Sequence, residues 1–294
     1  MPYTPANAQK DPACIELKRT GAATAVAGRY LARPDSRTAT ICGCGEQGRI
    51  QLAALRHVLD VKRVFAWDKD AAAAAGFVGA MSKEHGIDVA TASNLRAATL
   101  ESDVIVTCTP SREPYLGLDD VRPGTFIAAV GADNPQKSEI HPELMARATV
   151  VADILAQCAT MGDLHHAIRA GRMTPGAVHA ELGDVVIGRR RGRSGADEIT
   201  IFDSSGTGIQ DVAAAARAFE LARARRWYPV PVGLTDAAAS TSACILHSQS
   251  QKVCMITTCE ALYPYFRFRD REGYHWSLGC HSLDSSWSRL SSLS

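Results

Sequence analysis

Residues 38–68 read TATICGCGEQGRIQLAALRHVLDVKRVFAWD, from Thr38 to Asp68. A short, partly β-branched apolar run ends at Cys42 and meets Gly43-Cys44-Gly45-Glu46-Gln47-Gly48. Ile50, Ala53, Ala54, Leu55 and Val58 then recur at helical spacing, and a second apolar run from Val61 to Trp67 closes on Asp68. Strand, glycine turn, helix, strand and acid is the order of a dinucleotide-binding βαβ unit. Gly43 permits the tight turn, Gly45 lets the backbone approach a pyrophosphate, and Gly48 lets helix and strand pack closely. The helix N-terminus offers N–H groups and a partial positive charge to phosphates. Asp68 follows the last glycine by about 20 residues, the distance at which a carboxylate accepts from ribose hydroxyls.

Working outward, the chain has 294 residues, enough for one or two domains, and a formal net charge of +1 with 21% charged residues. That balance gives no global field favouring nucleic acid or a membrane surface. The basic run Arg189-Arg190-Arg191 with Arg193 sits in a Gly/Ser-rich segment and reads as a solvated loop. No stretch has the length of a membrane span, and the first residues lack the basic-then-apolar order of a signal peptide. Nine cysteines, an odd number in a chain too long to need stapling, indicate free thiols and a reducing, cytoplasmic setting. Cys42, Cys44 and Cys108 fall at strand ends or in the glycine turn, where small residues fit.

Helical spacing covers Cys14 to Ala32, and Pro34-Asp35-Ser36 ends it. Asp70 to His85 is an Ala-rich helix, Ile87 to Ala92 a short strand, and Asn94 to Leu100 a turn or two of helix. Asp103–Cys108, Thr125–Val130 and Thr149–Ala152 are continuous apolar strands of the kind buried on both faces of a parallel sheet. Gly131 to Pro135 is a turn, and Pro142 opens a helix from His141 to Ala146. Ile154–Ala170 and Ala180–Ile187 read as helices, Ile199–Phe202 as a strand, and Ile209–Arg226 as a helix. Alternating strands and helices predict an α/β doubly wound parallel sheet. From Trp227 onward the chain is rich in Ser, Cys and aromatics, without a period.

Five blocks resemble the ornithine cyclodeaminase and mu-crystallin family. They are Leu17-Lys18-Arg19-Thr20-Gly21-Ala22-Ala23, ICGCGEQGR at 41–49, VGADNPQKSEIHPEL at 130–144, ELGDVVIGRRRGR at 181–193 and ITIFDSSGTGIQDVAAA at 199–215. The resemblance implies a Rossmann-type domain set into a substrate and dimerisation domain made from both chain ends. On that scheme 1–20 is a remnant of the substrate domain, 21–206 the NAD-binding domain, 207–226 a helix returning to the substrate domain, and 227–294 unassigned. It implies NAD as cofactor, a small amino-acid substrate, and a homodimer where the substrate domain is complete. In the cyclodeaminase, NAD takes a hydride from the ornithine α-carbon, the side-chain amine attacks the imine, ammonia leaves, and the hydride returns to give proline. Dehydrogenases and ketimine reductases belong to the same family, and its mu-crystallin branch suggests dinucleotide binding without catalysis.

By the same resemblance Asp133 is the catalytic acid/base, and Arg19 grips the substrate carboxylate with its planar fork. Cofactor contacts fall on Gly43, Gly45, Glu46, Gln47, Gly48, Asp68, Thr109, Gly131, Lys137, Ser205 and Gly206. Other readings stand beside these. Asp133-Asn134-Pro135 is a good turn former on composition alone. Arg19 reads also as a surface helix arginine, and Asp203 as an N-terminal charge on the helix after it. His247, Cys254, Cys259, His275, Cys280 and His281 suggest a zinc site, although the spacing from Cys254 to Cys259 lacks a tight CxxC. Only eighteen residues precede Arg19, where family members carry a longer segment with a catalytic-site lysine and a further arginine. The expectation is a complete cofactor domain, an incomplete substrate domain, and NAD binding separable from turnover.

The carboxylate of Asp68 repels a 2′-phosphate on the adenosine ribose. Calorimetry is expected to show NAD bound about tenfold more tightly than NADP, a difference of about 1.4 kcal/mol. Equal affinities would remove the role given to Asp68.

Overall fold

The computed structural model describes residues 12–224. Helix α1 (Pro12–Leu31) precedes strand β1 (Thr38–Cys42), and then α2 (Glu46–Leu55), β2 (Arg63–Trp67), α3 (Ala71–His85), β3 (Asp88–Thr91) and α4 (Leu95–Glu101) follow. The second half contains β4 (Val104–Thr107), β5 (Phe126–Ala129), α5 (Pro142–Arg147), β6 (Thr149–Ala152), α6 (Leu155–Cys158) and α7 (Asp163–Arg169). It closes with β7 (Ala180–Glu181), α8 (Leu182–Val186), β8 (Thr200–Asp203) and α9 (Gly208–Ala224). The eight strands form one sheet in the order β3-β2-β1-β4-β5-β8-β6-β7, with every described pairing parallel. The doubly wound α/β reading therefore holds. The strand order reverses between β1 and β4, and there the crevice of an open α/β sheet lies. Among the described residues no helix is long and apolar enough to cross a membrane.

The strands are apolar throughout because helices cover both faces. Successive side chains alternate between two cores. Val104, Val106, Phe126, Ala128 and Phe202 join Leu31, Leu55 and Phe77 on one face. Ile105, Ile127, Ala129 and Ile201 join Leu144, Leu164 and Met145 on the other. At the amino ends of the strands the buried Asp103 accepts from Arg37 N (2.8 Å) and Thr38 N (3.0 Å), tying β1 to β4. Burial alone would raise its pKa, but those N–H donors and the Arg122 and Arg33 guanidinium groups outweigh it and hold the carboxyl below its usual range.

The local signals act where the sequence places them. Asp70 and Asn94 cap α3 and α4 by accepting from Ala72 N and Ala97 N, and Pro142 occupies the first turn of α5. The single helix expected over Ile154–Ala170 is instead two, α6 and α7, broken at Gly162 in the left-handed region (φ +91°). The break has a tertiary cause: Leu164 N donates to the buried Asp203 Oδ2 (3.1 Å), so α7 starts where that carboxylate lies. Asp203 thus serves the N-terminus of α7, not the helix that follows it in sequence. The helix expected over Ala180–Ile187 opens with the two residues of β7, which pair with β6.

The basic loop is divided. Arg189, Arg190 and Arg191 are exposed, as the solvated reading requires. Arg193 instead reaches inward, donating from Nε to Leu31 O (2.7 Å) and from Nη2 to Thr200 Oγ1 (3.0 Å). That arginine fastens the end of α1 to β8. Cys42, Cys44, Cys108 and Cys158 are free thiols. The zinc alternative in the tail, and the start of the expected substrate-domain remnant at residues 1–11, lie outside the described residues.

Candidate functional site

The glycine turn is built by contact. Gly43 lies in the left-handed region (φ +104°), and its N–H donates to Trp67 O (2.9 Å), holding the turn against the end of β2. A Cβ on Gly48 would sit 2.1 Å from Gly43 O, so the first turn of α2 packs directly on the turn that precedes it. Gly45, the N-cap of α2, makes no side-chain capping bond, and a Cβ there would face open space. The first N–H groups of α2 thus lack a capping side chain and are suited to an anion. Asp68 stands beside them: Oδ2 accepts from Cys44 N (2.8 Å) and Oδ1 from Asp70 N (3.0 Å). Gln47 Nε2 is buried without a hydrogen-bond partner, and Gln47 lines the adjoining cavity. An unmade buried donor costs about 1–3 kcal/mol, which a ligand acceptor would relieve. These residues fit a dinucleotide. The side chain of Glu46 is exposed and faces Arg49 (3.7 Å), so this residue offers the turn only its backbone N–H at the start of α2.

Across the switch point a cavity of about 640 Å³ gathers Arg19, Gln47, Thr109, Gly131, Asp133, Lys137, Ser205 and Gly206. These come from α1, α2, the turns after β4, β5 and β8, and the 131–140 loop. Gly43, Gly45 and Gly48 lie in and just after the turn that follows β1, Asp68 follows β2, and none of the four lines this cavity.

Asp133 is both a turn residue and a cavity residue. Asn134 Oδ1 accepts from Gln136 N (3.0 Å) and Lys137 N (3.2 Å), reversing the chain. That reversal brings Lys137 Nζ to 2.8 Å from Asp133 Oδ1, while Asn134 Nδ2 donates to the same oxygen (3.0 Å). Lys137, assigned from sequence to the cofactor, thus sets an ammonium beside Asp133, distinct from the lysine that family members carry in their longer N-terminal segment. Arg19 is not a surface arginine. Its side chain is 9% exposed, with Nε donating to Asp211 Oδ1 (2.7 Å) and Nη1 to Gln210 Oε1 (3.2 Å), both on the first turn of α9. The two residues of α9 hold the guanidinium at the cavity wall.

Behind the wall lie buried carboxylates, of which sequence reasoning singled out only Asp203. Asp153 Oδ2 accepts from Gly206 N (2.9 Å) and Ser204 Oγ (3.1 Å), and its Oδ1 from Ser205 Oγ (3.1 Å), fixing the turn after β8. Glu139 holds Thr109 and Gly131. Asp163 Oδ1 accepts from Glu139 N (2.8 Å) and Ile140 N (3.0 Å). Burial, reinforced by the charge of Asp163, pushes Glu139 up to about 7, and burial pushes Asp163 up to about 6. Asp203 is raised well above the ordinary carboxylate range, by burial and then by Asp163. One available signal was an acid at the carboxyl end of an apolar strand, as in Val150-Val151-Ala152-Asp153, since ligands of such sheets bind there.

Against known proteins, residues 8–226 match the model of the ornithine cyclodeaminase/mu-crystallin family. Alanine dehydrogenase of Archaeoglobus fulgidus is 42% identical over 202 residues, which cover 69% of this chain and 62% of that protein. Among solved structures, Thermococcus litoralis Δ1-pyrroline-2-carboxylate reductase in complex with NADH and L-proline superimposes with a TM-score of 0.69 at 34% identity, covering 72% of this chain and 66% of that one. Iminosuccinate reductase of Paracoccus denitrificans in complex with NAD+ gives 0.68 at 36% identity, covering 72% and 65%. The chain thus spans less than two thirds of the length of these relatives. It belongs to the ornithine cyclodeaminase/mu-crystallin family.

Two outcomes are expected from this geometry. Cys44 is 3% exposed, and burial with the adjacent Asp68 pushes its thiol up to about 12, so it is an inert packing group. Cys44→Ala is expected to leave NAD affinity within about threefold of wild type by calorimetry, a change of under about 1 kcal/mol. Asp163 Oδ2 and Asp203 Oδ1 are both buried without a partner, and the two charges oppose each other. Because Asp163 is raised above its unfolded value, its ionisation costs the folded state stability as pH climbs through about 6. Asp163→Asn keeps an acceptor for Glu139 N and Ile140 N while removing the charge. Its melting temperature should exceed wild type by about 2–4 °C at pH 8, the equivalent of about 1 kcal/mol, and by less at pH 5. A larger gain at pH 5 would contradict the repulsion.

Proposed function

We propose that this member of the ornithine cyclodeaminase/mu-crystallin family binds NAD and carries a site for hydride transfer at the α-carbon of a small amino acid or its imine. The observation that carries the reading is a single cavity, about 640 Å³, joining the buried Arg19, the Asp133–Lys137 pair and the unpartnered Gln47 amide beside the glycine turn. When bound, NAD supplies the acceptor or donor of the hydride. The first turn of α2 holds the pyrophosphate and Asp68 the adenosine ribose. Arg19, oriented by Asp211 and Gln210, takes the substrate carboxylate in its fork. A fixed carboxylate leaves the α-carbon little freedom, which is what a reaction at a 3–3.5 Å approach requires. Asp133 accepts the amine proton as the C–N bond gains double-bond character and returns it in the reverse direction. Lys137 holds that carboxylate in place from 2.8 Å.

The finer reading is L-ornithine to L-proline plus ammonia by internal hydride transfer. A dehydrogenase or ketimine reductase uses the same residues but stops after one hydride transfer. The names of the similar proteins, a dehydrogenase and two imine reductases, support that second form. A homodimer accords with the reading, as the archaeal alanine dehydrogenase is described as a dimer with bound NAD. The free thiols support a reducing, cytoplasmic setting.

The test presents NAD with L-ornithine or L-alanine, and NADH with Δ1-pyrroline-2-carboxylate, following absorbance of the reduced cofactor and ammonia release. Ammonia from ornithine without net NADH identifies the cyclodeaminase, and net NADH change identifies a dehydrogenase or reductase. Asp133→Asn is expected to slow either reaction about 100-fold or more while leaving NAD affinity within about twofold. Turnover unaffected by Asp133→Asn would overturn the assignment.

A further inference from the structure

Glu139 is fully buried, yet its carboxylate accepts from the wall of the cavity and from the loop beside it. Oε1 accepts from Thr109 N (2.7 Å), Thr109 Oγ1 (2.6 Å) and Tyr115 OH (2.9 Å), and Oε2 accepts from Gly131 N (3.0 Å). Thr109 lies just beyond β4 and Gly131 just beyond β5, and both line the cavity. We propose that Glu139 is a positioning residue for the nicotinamide end of the cofactor, clamping the ends of β4 and β5 together and setting where that ring lies relative to Asp133. The inference rests on the NAD reading above.

The chemistry requires a carboxylate. Four donors converge on two oxygens, and only an acceptor-only group answers all four; an amide would turn an NH2 toward one of them. The fit also requires Gly131, where a Cβ would stand 2.4 Å from Glu139 Oε2. From Gly131 the order passes to the catalytic loop, because Asp133 N donates to Gly131 O (3.1 Å). Glu139 is itself fixed at both backbone groups. Its N–H donates to Asp163 Oδ1, and its carbonyl accepts from Tyr115 N (3.0 Å) and Leu116 N (3.1 Å). Thr107, whose side chain also faces the carboxylate, is the last residue of β4, so the clamp acts on strand ends and not on the sheet. The glycine turn and Asp68, which hold the other half of a dinucleotide, follow β1 and β2 and receive no bond from Glu139. The topology divides the cofactor between these halves.

The division makes the test. Calorimetry compares NAD with ADP-ribose, which keeps the adenosine, pyrophosphate and second ribose but lacks the nicotinamide ring. In Glu139→Gln, NAD affinity is expected to fall about tenfold while ADP-ribose stays within about twofold of wild type. A purely structural loosening lowers both alike, and that result, or an unchanged NAD affinity, overturns the role. Should Glu139→Gln fail to fold, Thr109→Val removes one donor from the same clamp. NAD binding should then weaken about threefold with ADP-ribose unaffected, and Thr109→Ser, which keeps the hydroxyl, should restore it. Equal loss of both ligands in Thr109→Val, or no recovery in Thr109→Ser, again overturns the role. A wild-type chain that binds neither ligand overturns the NAD reading itself.

Discussion

A parallel sheet sends the carboxyl end of every strand to the same edge, and the chemistry of this protein depends on that constraint. Each strand must be left by a turn on that edge and re-entered from the other side, so the turns gather while the crossovers cover the faces. Here the gathered groups include the glycine turn, Asp68, Thr109, Gly131, Asp153 and the Ser204–Gly206 turn, which follow β1, β2, β4, β5, β6 and β8. At the amino ends Asp103 joins β1 and β4 through the backbone of Arg37 and Thr38. One edge binds and the other fastens.

Gathering turns at an edge leaves many backbone N–H groups without a ladder partner, and this protein answers them with carboxylates. Asp68, Glu139, Asp153, Asp163 and Asp203 each accept from at least one backbone N–H near the crevice. An ionised carboxylate can accept such donors at both of its oxygens, whereas an amide has only one oxygen to offer them. The arrangement carries the cost of burial, which raises the pKa of Glu139, Asp163 and Asp203, and the charge of Asp163 adds to it at Glu139 and Asp203. Rigidity of the wall accompanies this cost, because each carboxylate ties its own segment to another whose relative position a ligand would sense.

The described residues also explain why Arg19 and Asp133, 114 positions apart in sequence, face one cavity. Strand β8 is the last of the described strands but enters the sheet between β5 and β6. Its exit therefore delivers α9 to the same place as the turn after β5. Asp211 and Gln210 then meet the guanidinium that α1 carries from far upstream.

The sequence by itself determined the fold class, the phosphate turn and the family. Those signals are local: glycine spacing, apolar runs of strand length, an acid at a set distance, and ordered blocks around Arg19 and Asp133. Caps at Asp70 and Asn94 and the proline at α5 were legible for the same reason, since a cap bonds within its own turn. Only the tertiary structure decided what depends on neighbours distant along the chain. Ile154–Ala170 carries a helical pattern, yet it breaks at Gly162 because Asp203 arrives from β8 to receive Leu164 N. Arg193 reads as one more arginine of a basic loop until Leu31 and Thr200 come within reach of it. Lys137 became the partner of Asp133 through the turn that Asn134 closes, and Glu139 acquired its purpose from Thr109, 30 positions away. Periodicity records which side of an element is apolar. It does not record which buried acid another strand will bring to meet an N–H, because that pairing is fixed by strand order and not by spacing.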